Sequence, residues 1–154
     1  MEKTKYYIGI DPGVHTGLAI WDADGRKFAR VETLGIVAAM VEIVEFLRYR
    51  GAEDDCTLVI EDARQRKWIP QEKSVSQFKG RAMGAGSVRR DCAIWEEFAK
   101  YYGFPLQMLP PRKGLTKWSA EQFELVCGWT GRRWIWELPA TAHSAIMWAL
   151  WWDM

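Results

Sequence analysis

Two acidic residues in this chain stand where a short apolar run ends, and that placement suits a divalent cation. Asp11 follows Tyr6-Tyr7-Ile8-Gly9-Ile10 and precedes Pro12-Gly13; Glu61 follows Leu58-Val59-Ile60. An acid at the tip of a buried strand is accessible while its backbone stays fixed, and carboxylate oxygen is what a hard cation takes. Asp11 alone could equally cap a hairpin turn, a common arrangement. Glu61 changes the balance. If its strand lies beside the first, the two carboxylates become neighbours and repel unless a cation sits between them. Asp62 falls on the opposite face by strand alternation and reads as structural.

The stretch after Glu61 has a different chemistry. Over residues 64–90, Arg64, Arg66, Lys67, Lys73, Lys79, Arg81, Arg89 and Arg90 are accompanied by Glu72 as the only acid. A charge run is often just a solvated face. This one follows a candidate metal ligand and contains Trp68 and Phe78. Cations neutralise phosphates and release counterions, and an aromatic ring can stack on an unpaired base. Arg112, Lys113 and Lys117 extend the same basic character.

These groups need a scaffold. Residues 6–10, 17–21 and 27–33 read as three strands of an antiparallel meander with turns at Asp11-Pro12-Gly13 and Asp22-Ala23-Asp24-Gly25. Ile36, Val37, Met40, Val41, Val44 and Leu47 fall at helical spacing over 36–50, with Gly51 as the stop. Leu58-Val59-Ile60 suits a central strand buried on both faces. A helix is expected over 90–102, ending at Gly103, then a strand over 105–109 closed by Pro110-Pro111. A short helix over 119–127 has Ser119 as N-cap and Gln122 completing a capping box. The last helix starts near Pro139. Alternating elements of this kind predict an α/β fold, a mixed five-stranded sheet with helices on both faces, in one domain spanning 1–154.

The 154 residues are 49% hydrophobic and 27% charged, the balance of a soluble globular protein, and long enough for one sizeable core. The net charge of +1 makes no global argument for a nucleic-acid partner, so that argument rests on local clustering. Cys56, Cys92 and Cys127 form no CxxC pair, which suggests buried thiols in a reducing cytosol. No apolar segment follows the charged N-terminus, as a signal peptide requires. The apolar stretch 138–152 is too short for a bilayer span and contains His143.

The motifs together resemble those of RuvC-type Holliday junction resolvases. Ile8-Gly9-Ile10-Asp11-Pro12-Gly13 with Thr16-Gly17 looks like the family's opening motif, and Val59-Ile60-Glu61 like its second acidic strand. Lys79-Gly80-Arg81-Ala82-Met83-Gly84 resembles its glycine-containing helix. Leu109-Pro110-Pro111-Arg112-Lys113 with Lys117 resembles its basic Pro-Arg segment, and 145–150 its alanine-rich final helix. The similarity spans nearly the whole chain in order and is greatest to small phage-type members.

The resemblance implies a ribonuclease H-like fold, whose element order β-β-β-α-β-α-β-α matches the reading above. It implies a magnesium- or manganese-dependent endonuclease with two ions, roughly 4 Å apart, clamping the scissile phosphate. Asp11 and Glu61 would be ligands, with Lys117 a cation near the scissile phosphate. Arg64, Arg66, Lys67, Trp68, Lys79, Arg81, Arg112 and Lys113 would contact DNA, with 64–68 at the junction centre. It also implies a symmetric homodimer nicking two strands of a four-way junction, in the cytoplasm of a bacterial or phage-infected cell.

The chain departs from that pattern at its end. Ser144 stands where the final-helix aspartate is expected, and Thr141 where its partner one turn earlier would be. His143 could ligate a metal but points about 100° away from Ser144 on a helix. Glu137 lies just before that helix. Asp153 is roughly 13 Å further along its axis. A branched-DNA-binding protein with impaired or lost cleavage is therefore an alternative. The Gly-Ile-Asp-Pro-Gly motif also suits the phosphate loop of actin-like and sugar-kinase ATPases, but these need two such domains and a second Gly-rich motif. A relative that processes structured RNA is a further alternative.

Overall fold

The computed structural model describes residues 4–66, 75–111 and 125, with side chains over 4–66, 83–111 and 125. Three strands open the chain: β1 (Tyr6–Asp11), β2 (Thr16–Asp22) and β3 (Lys27–Leu34). They form the expected antiparallel meander, β1 pairing with β2 and β2 with β3. Helix α1 (Ile36–Arg50) then crosses to β4 (Cys56–Glu61), which lies parallel to β1. A single 3-10 turn (Ala63–Gln65) follows, then α2 (Val75–Tyr102) and β5 (Leu106–Leu109), parallel to β4. The sheet order is β3-β2-β1-β4-β5, a mixed five-stranded sheet with β1 and β4 at its centre.

Strand alternation assigns the faces. Tyr6, Ile8 and Ile10 of β1 share one buried cluster with Leu18, Ile20, Leu58 and Ile60. Ala39, Ile43 and Leu47 of α1 and Trp95, Phe98 and Ala99 of α2 join the same cluster. Both described helices therefore pack on one face of the sheet. Ala19 and Val59, out of phase with that cluster, are fully buried as well.

Both helix ends follow from glycine. Gly51 (φ 58) and Gly103 (φ 74) adopt the left-handed conformation that only glycine enters without cost. At each, the glycine N–H and the next N–H donate back into the last turn, to Arg48 and Leu47 in α1 and to Lys100 and Ala99 in α2. This is the Schellman arrangement, which satisfies carbonyls a helix end leaves open.

Two expectations need correction. In α1 the buried stripe runs through Ala39, Ile43, Val44, Phe46 and Leu47, while Val37 and Val41 are 68% and 48% exposed. Apolar residues cover more than one face of this helix, and packing chose the stripe. Helix α2 begins at Val75, not Arg90. Its early part holds Gly80, Gly84 and Gly86, which weaken helix propensity. Residues 83–87 are exposed, so no apolar periodicity marks them as helical. The helices expected over 119–127 and from Pro139 lie outside the described residues. Among the described residues no helix is long and apolar enough to cross a membrane.

Cys56 and Cys92 are free and buried. Burial, with Asp54 and Asp55 adding negative charge, pushes the Cys56 thiol up to about 12 from 9.0. A group whose folded pKa is raised contributes stability below its unfolded pKa and loses it as pH rises. Wild type should therefore lose stability above pH 9 by about 1.4 kcal/mol per pH unit more steeply than Cys56→Ala. Urea titrations of both proteins from pH 8 to 11 check this; parallel curves would refute it.

Candidate functional site

The site is built by the parallel pairing of β1 with β4. Their register places Tyr6 opposite Cys56 and Ile10 opposite Ile60, so Asp11 and Glu61 each come one residue later at the same sheet end. Neighbouring strands lie about 4.8 Å apart, so the two acids are adjacent. Both are out of phase with Ile10 and Ile60, and so share the face opposite the α1–α2 cluster. Both are half-buried. On the other side of Asp11 the register puts Gly17, so the β2 residue paired with Asp11 carries no side chain.

The turn after Asp11 is tied internally. The fully buried Thr16 hydroxyl donates to the Gly13 carbonyl at 2.9 Å. This accounts for the threonine of the Asp-Pro-Gly-x-x-Thr-Gly pattern, which closes the turn, and places the second glycine opposite the acid. Strand β5 ends at the same sheet end, with Glu61 in register with Leu109 and Pro110-Pro111 following. The carboxyl ends of three parallel strands thus converge, the usual place for ligands in open α/β sheets.

Beyond Glu61 the chain turns to the other face. Asp62 is buried, and its carboxylate accepts from the Arg64 backbone N–H at 3.1 Å and the Gln65 amide at 3.2 Å. Arg64 also grips it with two side-chain bonds, Nε to Oδ1 at 2.7 Å and Nη2 to Oδ2 at 3.0 Å. The same Nη2 donates to Glu96 Oε2 of α2 at 2.8 Å, and Lys100 donates to Glu96 Oε1 at 2.8 Å. The Gln65 amide also donates to the Met108 carbonyl at 3.1 Å, joining β5 to the set. Burial opposes ionisation of Asp62, but the Arg64 and Gln65 hydrogen bonds outweigh it and hold its carboxyl below the usual range. Lys100, then Arg64, lowers Glu96 likewise. Burial raises the Cys92 thiol.

The expected residues therefore separate. Asp11 and Glu61 come together, and Asp62 takes the structural place expected of it. Arg64 is joined to two carboxylates, whereas Arg66 stands exposed just past the 3-10 turn. Lys79 and Arg81 belong to the early part of α2. Lys67, Trp68, Arg112, Lys113, Lys117, His143 and Ser144 lie outside the described residues. Glu96 was not singled out from sequence. Its spacing to Lys100 marks a helix ion pair, but nothing local announces a partner as distant as Arg64.

Asp11 and Glu61 offer two hard oxygen donors, the ligand type of Mg²⁺ and Mn²⁺, and so fit such an ion. Among the described residues no group of three or more His, Cys, Asp or Glu could hold a metal. With a cation bound, the pair would supply only part of its coordination shell.

No family model matches the sequence, and no curated protein matches it. Comparison with solved structures finds T. thermophilus RuvC in complex with Holliday junction substrate, at a TM-score of 0.54 and 18% identity, covering 94% of this chain and 90% of that one. The mixed sheet, its strand order and the helices beside it are thus a RuvC-like arrangement, of the ribonuclease H-like type expected from the sequence.

Proposed function

We propose that this chain is a structure-selective DNA endonuclease that resolves four-way junctions or other branched DNA. The observation that carries the reading is the pairing of Asp11 and Glu61 on one face at neighbouring strand ends. It is supported by a fold shared with a protein whose solved structure holds a Holliday junction. Asp11 and Glu61 would hold Mg²⁺ or Mn²⁺, in a two-ion arrangement completed by donors from the final segment, where His143 is a candidate. Such ions, when bound, polarise the scissile phosphate and lower the pKa of water. The fixed strand ends orient the two carboxylates. Arg66, Lys67, Lys79, Arg81, Arg112, Lys113 and Lys117 would neutralise DNA phosphates, and Trp68 would stack at the branch point. A homodimer of the small phage-type kind suits a near-two-fold substrate, and a reducing cytoplasm suits the free buried cysteines.

A second reading is favoured by one feature. Ser144 occupies the position expected for a final-helix aspartate, so the chain would bind branched DNA with impaired cleavage. A gel assay separates the two, with a synthetic four-way junction and matching duplex in Mg²⁺, Mn²⁺ or EDTA. The first reading expects metal-dependent paired nicks in the junction only. Tight junction binding without nicks supports the second, and Ser144→Asp should then restore nicking. Absence of junction preference overturns both.

A further inference from the structure

We propose that Arg64 is a positioning residue for Glu61, holding the end of β4 against α2, and not one of the chain's phosphate contacts. This rests on the metal-dependent reading above and says how the chain fixes one of its two acids. Glu61 presents its carboxylate on one face of the sheet, and the groups that anchor its backbone lie on the other face or along the strand edge. Its carbonyl accepts from the Cys92 thiol at 3.6 Å. The next N–H, that of Asp62, donates to the Leu109 carbonyl at 2.7 Å. The Asp62 side chain, 5% exposed, holds Arg64 by two side-chain bonds, and Arg64 reaches across to Glu96.

The helix side of this contact is organised for it. Cys92 and Glu96 are one turn apart on α2, so both stand where the helix meets the strand end. The Cys92 thiol thereby holds the peptide that follows Glu61, and the Glu96 carboxylate holds Arg64, which clamps Asp62. A planar guanidinium can serve carboxylates on two elements at once, which a lysine ammonium does not do with the same geometry. A phosphate contact needs that fork turned toward solvent. Here three of its hydrogen bonds go to Asp62 and Glu96, and its side chain is 32% exposed. Movement of the Arg64 clamp would be transmitted to Glu61 through a single intervening residue.

The test uses the full chain with Arg64→Met, Arg64→Lys, Glu96→Ala and the Arg64→Met/Glu96→Ala double variant. Three readouts are taken: Mn²⁺ uptake without DNA by calorimetry, junction binding in EDTA across a salt series, and single-turnover nicking. Arg64→Met and Glu96→Ala should each weaken Mn²⁺ binding about tenfold or more, as supporting residues of metal sites do. Junction affinity in EDTA and its salt slope should stay within about twofold of wild type, because no phosphate contact is lost. Arg64→Lys should recover only part of the loss. The double variant should be no worse than Arg64→Met alone, since both break one linkage. Should Arg64→Met fail to fold, Glu96→Ala carries the test, as Glu96 is 29% exposed and Asp62 keeps its Arg64 pairing. A salt slope flattened by about one in Arg64→Met, with Mn²⁺ binding unchanged, makes Arg64 a phosphate contact and overturns the inference. Unchanged Mn²⁺ binding in Glu96→Ala also overturns it. Wild type that takes up no Mn²⁺ removes the nuclease reading and this inference together, so the two failures are distinguishable.

Discussion

Asp11→Asn is expected to abolish metal-dependent nicking of a four-way junction while leaving junction binding in EDTA unchanged or tighter. The substitution removes one of two adjacent carboxylates at the β1–β4 end while keeping the shape of the side chain. Metal stabilisation of a phosphoryl transition state amounts to several kcal/mol. Loss of a ligand should therefore slow single-turnover nicking by roughly 10³-fold or more. On the proposed reading binding moves the other way, because a negative charge that would face DNA phosphates disappears. Asparagine keeps the size of the side chain at the strand end, and the neighbouring turn is closed independently by Thr16. Glu61→Gln should behave alike. Nicking by Asp11→Asn at the wild-type rate would take Asp11 out of the site.

The second large effect concerns the helix behind the site. Trp95 is fully buried, meets Phe98 edge-on at 5.4 Å, and its indole N–H has no hydrogen-bond partner among the described residues. Trp95→Ala should destabilise by about 3–5 kcal/mol, the range for emptying a large aromatic site. For a chain of this size that lowers the melting temperature by on the order of 10 °C. Trp95→Phe removes less volume and also removes a buried, unsatisfied donor, whose burial costs about 1–3 kcal/mol. The two changes oppose each other, so Trp95→Phe should lie within about 1 kcal/mol of wild type. Calorimetric melting of the three proteins checks this. Equal losses in both variants would show that the indole N–H is satisfied in solution.

Much of this architecture was legible because local signals and packing agree. Ile8-Gly9-Ile10 and Leu58-Val59-Ile60 are apolar runs that stop at an acid, and both became central strands with the acid at the tip. Gly51 and Gly103 were legible as helix stops because positive φ leaves few alternatives to glycine. Where signals conflicted, the reading shifted. The start of α2 was obscured by glycines and by the absence of an apolar stripe in a solvent-facing segment. Val37 and Val41 carried a helical period but lost to Ala39 and Ile43 in packing. Arg64 looked like one more cation in a basic run, because sequence spacing does not reveal that α2 returns Glu96 to the same spot. Nonlocal ion pairs of this kind come from topology, which no window of residues contains.

The parallel pairing of β1 with β4 also bears on how the protein acquires its site. The β1–β2–β3 meander consists of near-neighbour contacts, which form quickly. Asp11 and Glu61 meet only after α1 has crossed back and β4 has docked at the centre of the sheet, a contact of long sequence separation whose loop closure is slower. An early folding species can therefore carry Asp11 in a formed hairpin and still lack a bidentate acidic pair. A divalent ion that binds this pair acts selectively on the completed sheet and raises its stability by mass action, by about 2.7 kcal/mol at one hundred times its dissociation constant. The order of events in folding and the juxtaposition of the two acids thus depend on the same strand pair.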